Sequence, residues 1–292
     1  MDIKSYLSEK KSLVEAHMCK SIGDKDIPET LRRAMQYSLD AGGKRIRPVL
    51  VMAGAEAVGG DAQSVLPVAV AMEMIHTFSL IHDDLPCMDD DDLRRGRPTC
   101  HKVYGEALAL LAGDALLTLA FSWLASAHDC TAAQRARLVC VAARAAGSQG
   151  MVGGQVADLE ATGQAPDEQR LAFVHTHKTG DLITASLQAG GIAGNGTDGQ
   201  IAALAALGEQ LGLAFQYVDD ILDCTADAET LGKTPGKDTA AGKLTAVAVY
   251  GLEGARERAT AHTAAAHAVL KARNWQNTLL GALAEYVTAR TS

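Results

Sequence analysis

Two blocks of aspartates, Asp83-Asp84-Leu85-Pro86-Cys87-Met88-Asp89-Asp90-Asp91-Asp92 and Asp219-Asp220-Ile221-Leu222-Asp223, stand 136 positions apart, and each closes a long apolar run. A run of that kind reads as a buried helix, so each helix delivers carboxylates to its C-terminal end. That end already carries the negative pole of the helix dipole, which disfavours further negative charge. Burying the carboxylates without a partner is prohibitive. Two arrangements satisfy these constraints: solvated helix termini, or two acid clusters facing each other across divalent cations. Two occurrences in one chain favour chelation, and hard oxygen ligands that leave room for phosphate oxygens suit Mg²⁺.

The rest of the chain supports a helical frame for such a site. No stretch alternates with period two long enough to be a strand. Of the 292 residues 48% are hydrophobic and only seven are proline, which allows a large all-α core. Helices are expected from Pro28 to Gly42-Gly43, from Pro48 to Ala57, and from Ser64 to about Leu85 with Pro67 in its first turn. Residues 89–97 read as a loop. Further helices are expected at 102–127, 132–150, 151–160, 167–190, 198–223, 243–251, 252–272 and 275–290, with a polar loop between Thr225 and Gly242. There is no repeat, linker or domain boundary, so residues 1–292 read as one all-helical domain.

Composition excludes several classes of function. The net charge of −8 and the lack of a basic face argue against a nucleic-acid partner. Six cysteines are scattered without a C-x-x-C pair, as suits reduced thiols in a cytoplasm. Met1 to Lys11 is charged and has no apolar signal core. Ala107 to Ala127 is nearly long enough to span a bilayer, but it is rich in Ala and Gly and carries Asp114 near its middle. It reads as a helix surrounded by other helices, and the protein as soluble rather than membrane-spanning.

Spacing separates the two acid clusters. Asp219 and Asp223 lie four apart and stack on one helical face, with Asp220 on the adjacent stripe. Asp83 and Asp89 lie six apart, off-phase for a straight helix. Pro86 between them must deform the backbone, which could return Asp89 to the side of Asp83. Regular helix through 83–89 would contradict this. Basic residues complete the inventory: Lys44, Arg45 and Arg47 after Gly42-Gly43; Arg94, Arg95 and Arg97 after the first cluster; Lys178, Lys233, Lys237 and Lys243 in the second half. Each is an ordinary surface residue taken singly. Together they fit an anionic ligand, since arginine forks grip phosphate oxygens at two points and lysine acts as a point charge. His76 on an apolar helix has a satisfied core histidine as its bland alternative, and only its motif context lifts it; His82 reads as a group that orients a carboxylate. His101, His175 and His177 read as structural, and Gly153-Gly154 as close helix packing.

These residues resemble the motifs of the trans-isoprenyl diphosphate synthases. His82 to Gly96 is similar to the first aspartate-rich motif of that family, and Phe215 to Asp223 to the second. Gly42-Gly43-Lys44-Arg45-Ile46-Arg47-Pro48 resembles its isopentenyl-diphosphate-binding segment. His177-Lys178-Thr179-Gly180 resembles its mid-chain lysine motif, and Gly153-Gly154-Gln155-Val156-Ala157-Asp158-Leu159 a further one. The resemblance implies an all-α fold around a deep central cavity, usually a homodimer. It also implies that three Mg²⁺ ions bind the diphosphate of an allylic substrate and stabilise it as a leaving group, after which isopentenyl diphosphate attacks the allylic cation. By the same resemblance Asp83 and Asp89 hold two ions and Asp219 the third, while Asp84, Asp220 and Asp223 bind through water or support these ligands. Arg94, Lys178, Lys233 and Lys243 would hold the allylic diphosphate, and Lys44, Arg47, His76 and Arg95 the isopentenyl diphosphate. Thr179 and Gln216 would line the reacting centre.

Product length is the finer expectation. Phe78 lies five residues before Asp83, about 7.5 Å deeper along a helix, where a bulky ring could act as a floor. An aromatic there, with the Pro86-Cys87 insertion, looks like the bacterial farnesyl diphosphate synthases and implies a fifteen-carbon product from dimethylallyl and then geranyl diphosphate. Ser79 beside it is small, and Cys87-Met88 is shared with plant-like geranylgeranyl synthases, so geranylgeranyl or geranyl diphosphate synthase is the alternative. A class I terpene cyclase would not need a second diphosphate segment at Lys44–Arg47, and a non-catalytic synthase subunit tends to lose metal ligands that are all present here.

Overall fold

The computed structural model describes residues 3–23, 26–225 and 242–288. Among these residues the chain is helical throughout apart from one small hairpin: α1 (Ile3–Ser21), α2 (Glu29–Leu39), α3 (Ile46–Ala57), α4 (Leu66–Asp83), β1 (Leu93–Arg94), β2 (Arg97–Pro98), α5 (Cys100–Tyr104), α6 (Glu106–Ala125), α7 (Ala132–Ala146), α8 (Met151–Ala161), α9 (Glu168–Val174), a π-helical turn (His175–Gly180), α10 (Asp181–Ala193), α11 (Asp198–Thr225), α12 (Ala246–Ala272) and α13 (Leu279–Thr288). The all-α expectation holds.

Helix α4 is apolar on nearly every side and is accordingly buried from Val68 to Ile81 with few breaks. Its core continues into α1, α2, α3, α6, α7 and α10. A second apolar cluster joins α1, α3, α10, α11, α12 and α13, and a third joins α8, α9, α11 and α12. Small residues let the central helices touch backbone to backbone: a methyl on Gly54 of α3 would come within 2.8 Å of the Leu187 carbonyl of α10. Local chemistry starts several helices. Thr131 and Gln134 form a reciprocal capping box on α7, and the Thr245 hydroxyl accepts from the Ala248 N–H at the start of α12.

Several boundaries differ from expectation for identifiable reasons. Helix α1 was not anticipated; its buried face is built by Tyr6, Val14 and Met18, interleaved with charge. The 102–127 helix is two helices, because Gly105 takes φ 86 and ψ 157 between α5 and α6. Pro48 sits inside the first turn of α3 rather than opening it, a position whose N–H has no helical partner to lose. The hairpin β1–β2 lies in the segment expected to be loop. Arg95 and Gly96 both take positive φ, which closes a two-residue turn too short to show alternation in sequence. The expected break at 251/252 is present, with Gly251 at φ 70 inside α12.

Candidate active site

The first aspartate cluster is built by the failure of α4. Regular helix stops at Asp83, and Pro86 cannot continue it. The Leu85 N–H then turns back to the His82 carbonyl at 3.1 Å, and the Asp89 N–H reaches the Asp83 carbonyl at 2.9 Å. Asp90 closes the turn at φ 50. The predicted bend therefore exists and sets Asp89 against Asp83. Burial pushes the Asp83 carboxyl up to about 6; Lys178 opposes the rise and the charge of Asp89 adds to it.

Asp84 faces the other way. Arg94 donates from Nε to both of its carboxylate oxygens, at 2.7 and 2.9 Å, and from Nη2 at 2.5 Å. Burial alone would lower the Arg94 pKa, but the Asp84 bonds and charge raise it; burial pushes the Asp84 carboxyl up, and the bonds and charge of Arg94 oppose that rise. The hairpin turn is thus tied to the acidic end of α4, and Arg94 is held beside the first cluster.

The second cluster rides on a helix that stays regular. Asp219, Asp220 and Asp223 belong to α11, so Asp219 and Asp223 share a face. Asp220 is buried and structural in its contacts: its Oδ2 accepts the Ala246 N–H at 2.6 Å and lies 3.2 Å from His175 Nε2. It thereby fixes the start of α12 onto α11. Asp223 is 2% exposed.

Between α8, the π turn, α11 and the start of α12 lies a pocket of about 210 Å³ lined by Asp158, Val174, His175, Lys178, Thr179, Gln216, Asp219, Asp220, Lys243, Leu244 and Thr245. The π turn is clamped on two sides. A methyl on Gly154 of α8 would overlap the Lys178 backbone, and one on Gly212 of α11 would come within 2.7 Å of Gly180 Cα. Lys178 is aimed by Asp158, whose carboxylate accepts its ammonium at 2.5 Å. Lys243 lines the same pocket and reaches out to Asp89 at 3.3 Å, which joins the first cluster to the pocket rim. Lys178, Thr179, Gln216, Asp219 and Lys243 therefore converge as a set. Lys233 lies outside the described residues.

A separate cationic corner forms where α3 meets α4 and the hairpin. His76 is held well below its ordinary pKa by burial and then by Arg47, Arg95, Arg94 and Arg45, so it is a neutral imidazole at neutral pH. Arg47 is lowered to about 10, mainly by burial, and stays charged; its Nε is buried without a hydrogen-bond partner among the described residues. The Arg95 guanidinium lies against Gly43, where any side chain would collide with it, and donates to the Gly42 carbonyl. Lys44 is exposed beside them. The buried Arg47 Nε–H is the donor here that an anion would satisfy.

Some residues fall elsewhere. Phe78 and Ser79 do not line the pocket. Phe78 packs in the core, and the Ser79 hydroxyl donates to the His76 carbonyl. His82 does not orient an aspartate of its own cluster; its Nε2 lies 3.0 Å from the Leu110 carbonyl on α6. Sequence reasoning passed over Asp158 as a partner for Lys178, and it left His175 as structural although it lines the pocket against Asp220. It also grouped Arg45 with the ligand-facing cations. Arg45 is buried, donating to Glu73 at 2.8 Å and to the Leu39 carbonyl at 2.5 Å. The signal for that pair was Glu73, an acid within an apolar helix that must have a partner.

The whole arrangement has relatives. The chain matches the polyprenyl synthetase family over residues 28–278. It is 44% identical over 292 residues to the farnesyl diphosphate synthase of Geobacillus stearothermophilus, covering 99% of this chain and 98% of that one. It is 49% identical over 261 residues to geranylgeranyl pyrophosphate synthase 12, chloroplastic, of Arabidopsis thaliana, covering 88% and 72%. Among solved structures it superposes on a FPP/GFPP synthase from Zymomonas mobilis with a TM-score of 0.86 at 36% identity, covering 98% of each chain. The geranylgeranyl pyrophosphate synthetase of Pyrococcus horikoshii gives a TM-score of 0.88 at 32% identity, again covering 98% of both. By motif, fold and site geometry the chain belongs to the polyprenyl synthetase family.

Proposed function

We propose that this protein is a short-chain prenyltransferase that joins isopentenyl diphosphate to dimethylallyl and then geranyl diphosphate, releasing farnesyl diphosphate. The observation that carries the reading is the convergence of Lys178, Thr179, Gln216, Asp219 and Lys243 on one pocket, with Asp89 tied to its rim. A second anion corner at Arg47, Arg95 and His76 matches the need for a second diphosphate substrate.

The donor set suits Mg²⁺. Asp83, Asp89 and Asp219 offer hard carboxylate oxygens, and the raised Asp83 carboxyl marks a buried acid beside a second one that a cation would relieve. Among the described residues no three acidic, histidine or cysteine side chains are grouped tightly enough to grip an ion unaided, so the diphosphate oxygens are expected to complete each site. Three bound Mg²⁺ ions would neutralise charge on the departing diphosphate. Lys178 and Lys243 add positive charge at the same pocket, and Arg94 stands ready beside the first cluster. Lys44, Arg47, Arg95 and neutral His76 hold isopentenyl diphosphate by its anionic end, leaving its double bond free to attack. The allylic carbon–oxygen bond breaks with its electron pair leaving on the diphosphate, the double bond of isopentenyl diphosphate attacks the resulting allylic cation to form the carbon–carbon bond, and the diphosphate takes the proton then lost from the product. Asp84 and Asp220 support these groups through Arg94 and the start of α12, and Asp223 backs Asp219 on the shared face of α11.

Phe78 is the floor of the growing chain in this reading. Geranylgeranyl synthesis is the second reading, favoured by the 49% identity to the chloroplastic enzyme. Incubation with dimethylallyl or geranyl diphosphate, isopentenyl diphosphate and Mg²⁺ tests both. A fifteen-carbon product is expected; a twenty-carbon product supports the second reading, a cyclic hydrocarbon means a cyclase, and no turnover means a non-catalytic subunit.

The active form is a soluble, cytoplasmic homodimer of single-domain chains. Among the described residues two helices, α6 and α11, are long and apolar enough to cross a membrane by length and composition. Helix α11 lies mostly within the bundle, whereas α6 leaves Leu110 and Leu111 exposed, and α8 leaves Val152, Val156 and Leu159 exposed. Such faces suit a second copy of the chain.

A further inference from the structure

We infer that His82 is a positioning residue that sets product length by holding the Phe78 ring; this rests on the reading of Phe78 as the floor. The carbonyl of Leu110 can only accept, so His82 carries its proton on Nε2 and donates it across to α6 at 3.0 Å. The ring lies in a notch that exists because residue 113 is glycine: a methyl there would overlap the imidazole. Phe78, one turn earlier on α4, meets the same imidazole edge-on, with ring centroids 5.3 Å apart and planes at 88°. An edge-to-face pair of this kind has a defined geometry rather than a loose apolar contact. Phe78 is 6% exposed, so its ring is enclosed by the core and the imidazole is one of the walls that hold it.

The arrangement is a chain of three contacts. The Leu110 carbonyl and the Gly113 notch fix the imidazole, the imidazole fixes the phenyl ring, and the phenyl ring fixes the depth of the floor. His82 also directly precedes Asp83, where α4 ends. The same short stretch therefore sets both the mouth and the floor of the proposed cavity. Removing the imidazole frees Phe78 to swing toward α6 and deepens the site without touching the diphosphate pocket.

The test compares His82→Ala, His82→Gln, Gly113→Ala and Phe78→Ala with the unaltered protein. Each is given geranyl diphosphate, isopentenyl diphosphate and Mg²⁺, and the ratio of twenty- to fifteen-carbon product is read by chromatography. His82→Ala should raise that ratio by about two- to tenfold, the range that loss of one edge-on aromatic contact corresponds to. His82→Gln retains an N–H for the Leu110 carbonyl but has no ring to meet Phe78, so it should shift the ratio in the same direction as His82→Ala; an unaltered ratio in it would overturn the aromatic contact as the latch. Gly113→Ala displaces the ring without removing it and should shift the ratio in the same direction, which keeps the inference testable should His82→Ala unfold. An unchanged ratio in His82→Ala and Gly113→Ala, with a longer product from Phe78→Ala, overturns the latch and leaves the floor standing. An unchanged ratio in all of them overturns both. Absence of prenyl products from the unaltered protein is a different result, and it removes the synthase reading itself.

Discussion

Asp83 ends α4 with a carboxyl that burial pushes from 3.8 to about 6, against the pull of Lys178 and with the help of Asp89. In the unfolded chain the same group ionises near its ordinary value. Across that interval the unfolded chain loses its proton while the folded protein keeps it, so the stability of the metal-free protein falls as pH rises through this window and then levels off. Asp83→Asn should flatten that fall, by on the order of 1–2 kcal/mol once solvent screening of a partly exposed group is allowed for. Urea unfolding of the metal-free protein at pH 4 and pH 7 measures it, and an equal slope in both proteins would refute it. The Arg45–Glu73 pair gives a second expectation, since each side chain is only 2% exposed. Glu73→Ala leaves the buried guanidinium with only the Leu39 carbonyl and the more exposed Glu15 carboxylate 3.4 Å away, and should lower stability by up to about 3 kcal/mol. Denaturant midpoints check this. At this scale the aspartates were legible because four-residue and six-residue spacings have different consequences on a helix. Residue chemistry alone did not separate Arg45 from Arg47, because nothing in Lys44-Arg45-Ile46-Arg47 marks which guanidinium turns inward; only the family resemblance gave Arg47, and not Arg45, to the isopentenyl diphosphate.

The π turn at His175–Gly180 is the element that most shapes the pocket, and nothing in the 167–190 pattern distinguishes it from continuous helix. A π turn changes hydrogen bonding by one residue without requiring a particular residue type. What holds it is the approach of two helices, α8 through Gly154 and α11 through Gly212. Gly154→Ala should push α8 from the Lys178 backbone, at a stability loss of about 1–3 kcal/mol. It should also raise the KM for the allylic diphosphate, because Asp158 on α8 aims Lys178. Steady-state kinetics beside thermal unfolding separate the two effects; an unaltered KM would mean that the α8 contact does not position the lysine. The break in α4, by contrast, was readable, since a proline inside an apolar helix leaves the chain no regular continuation.

For the molecule as a whole, chelation of divalent ions with EDTA should abolish product formation, and added Mg²⁺ should restore it. Turnover that survives exhaustive chelation would rule out metal-assisted ionisation. Sedimentation should give twice the chain mass, and Leu111→Glu on the exposed face of α6 should shift it to the single-chain value if α6 carries the interface. A dimer that persists in the variant would move the interface elsewhere. The sequence alone determined the all-helical class, the two carboxylate motifs, the bend at Pro86 and the break at Gly251, because periodicity, proline chemistry and glycine conformation act over a few neighbouring residues. Only the tertiary structure decided what those aspartates do for one another. It gave Asp84 to Arg94, Asp220 to His175 and the start of α12, and Asp89 to Lys243. These pairings join parts of the chain between 10 and 154 residues apart, and close packing of helices, not local pattern, selects which carboxylate is left facing the pocket.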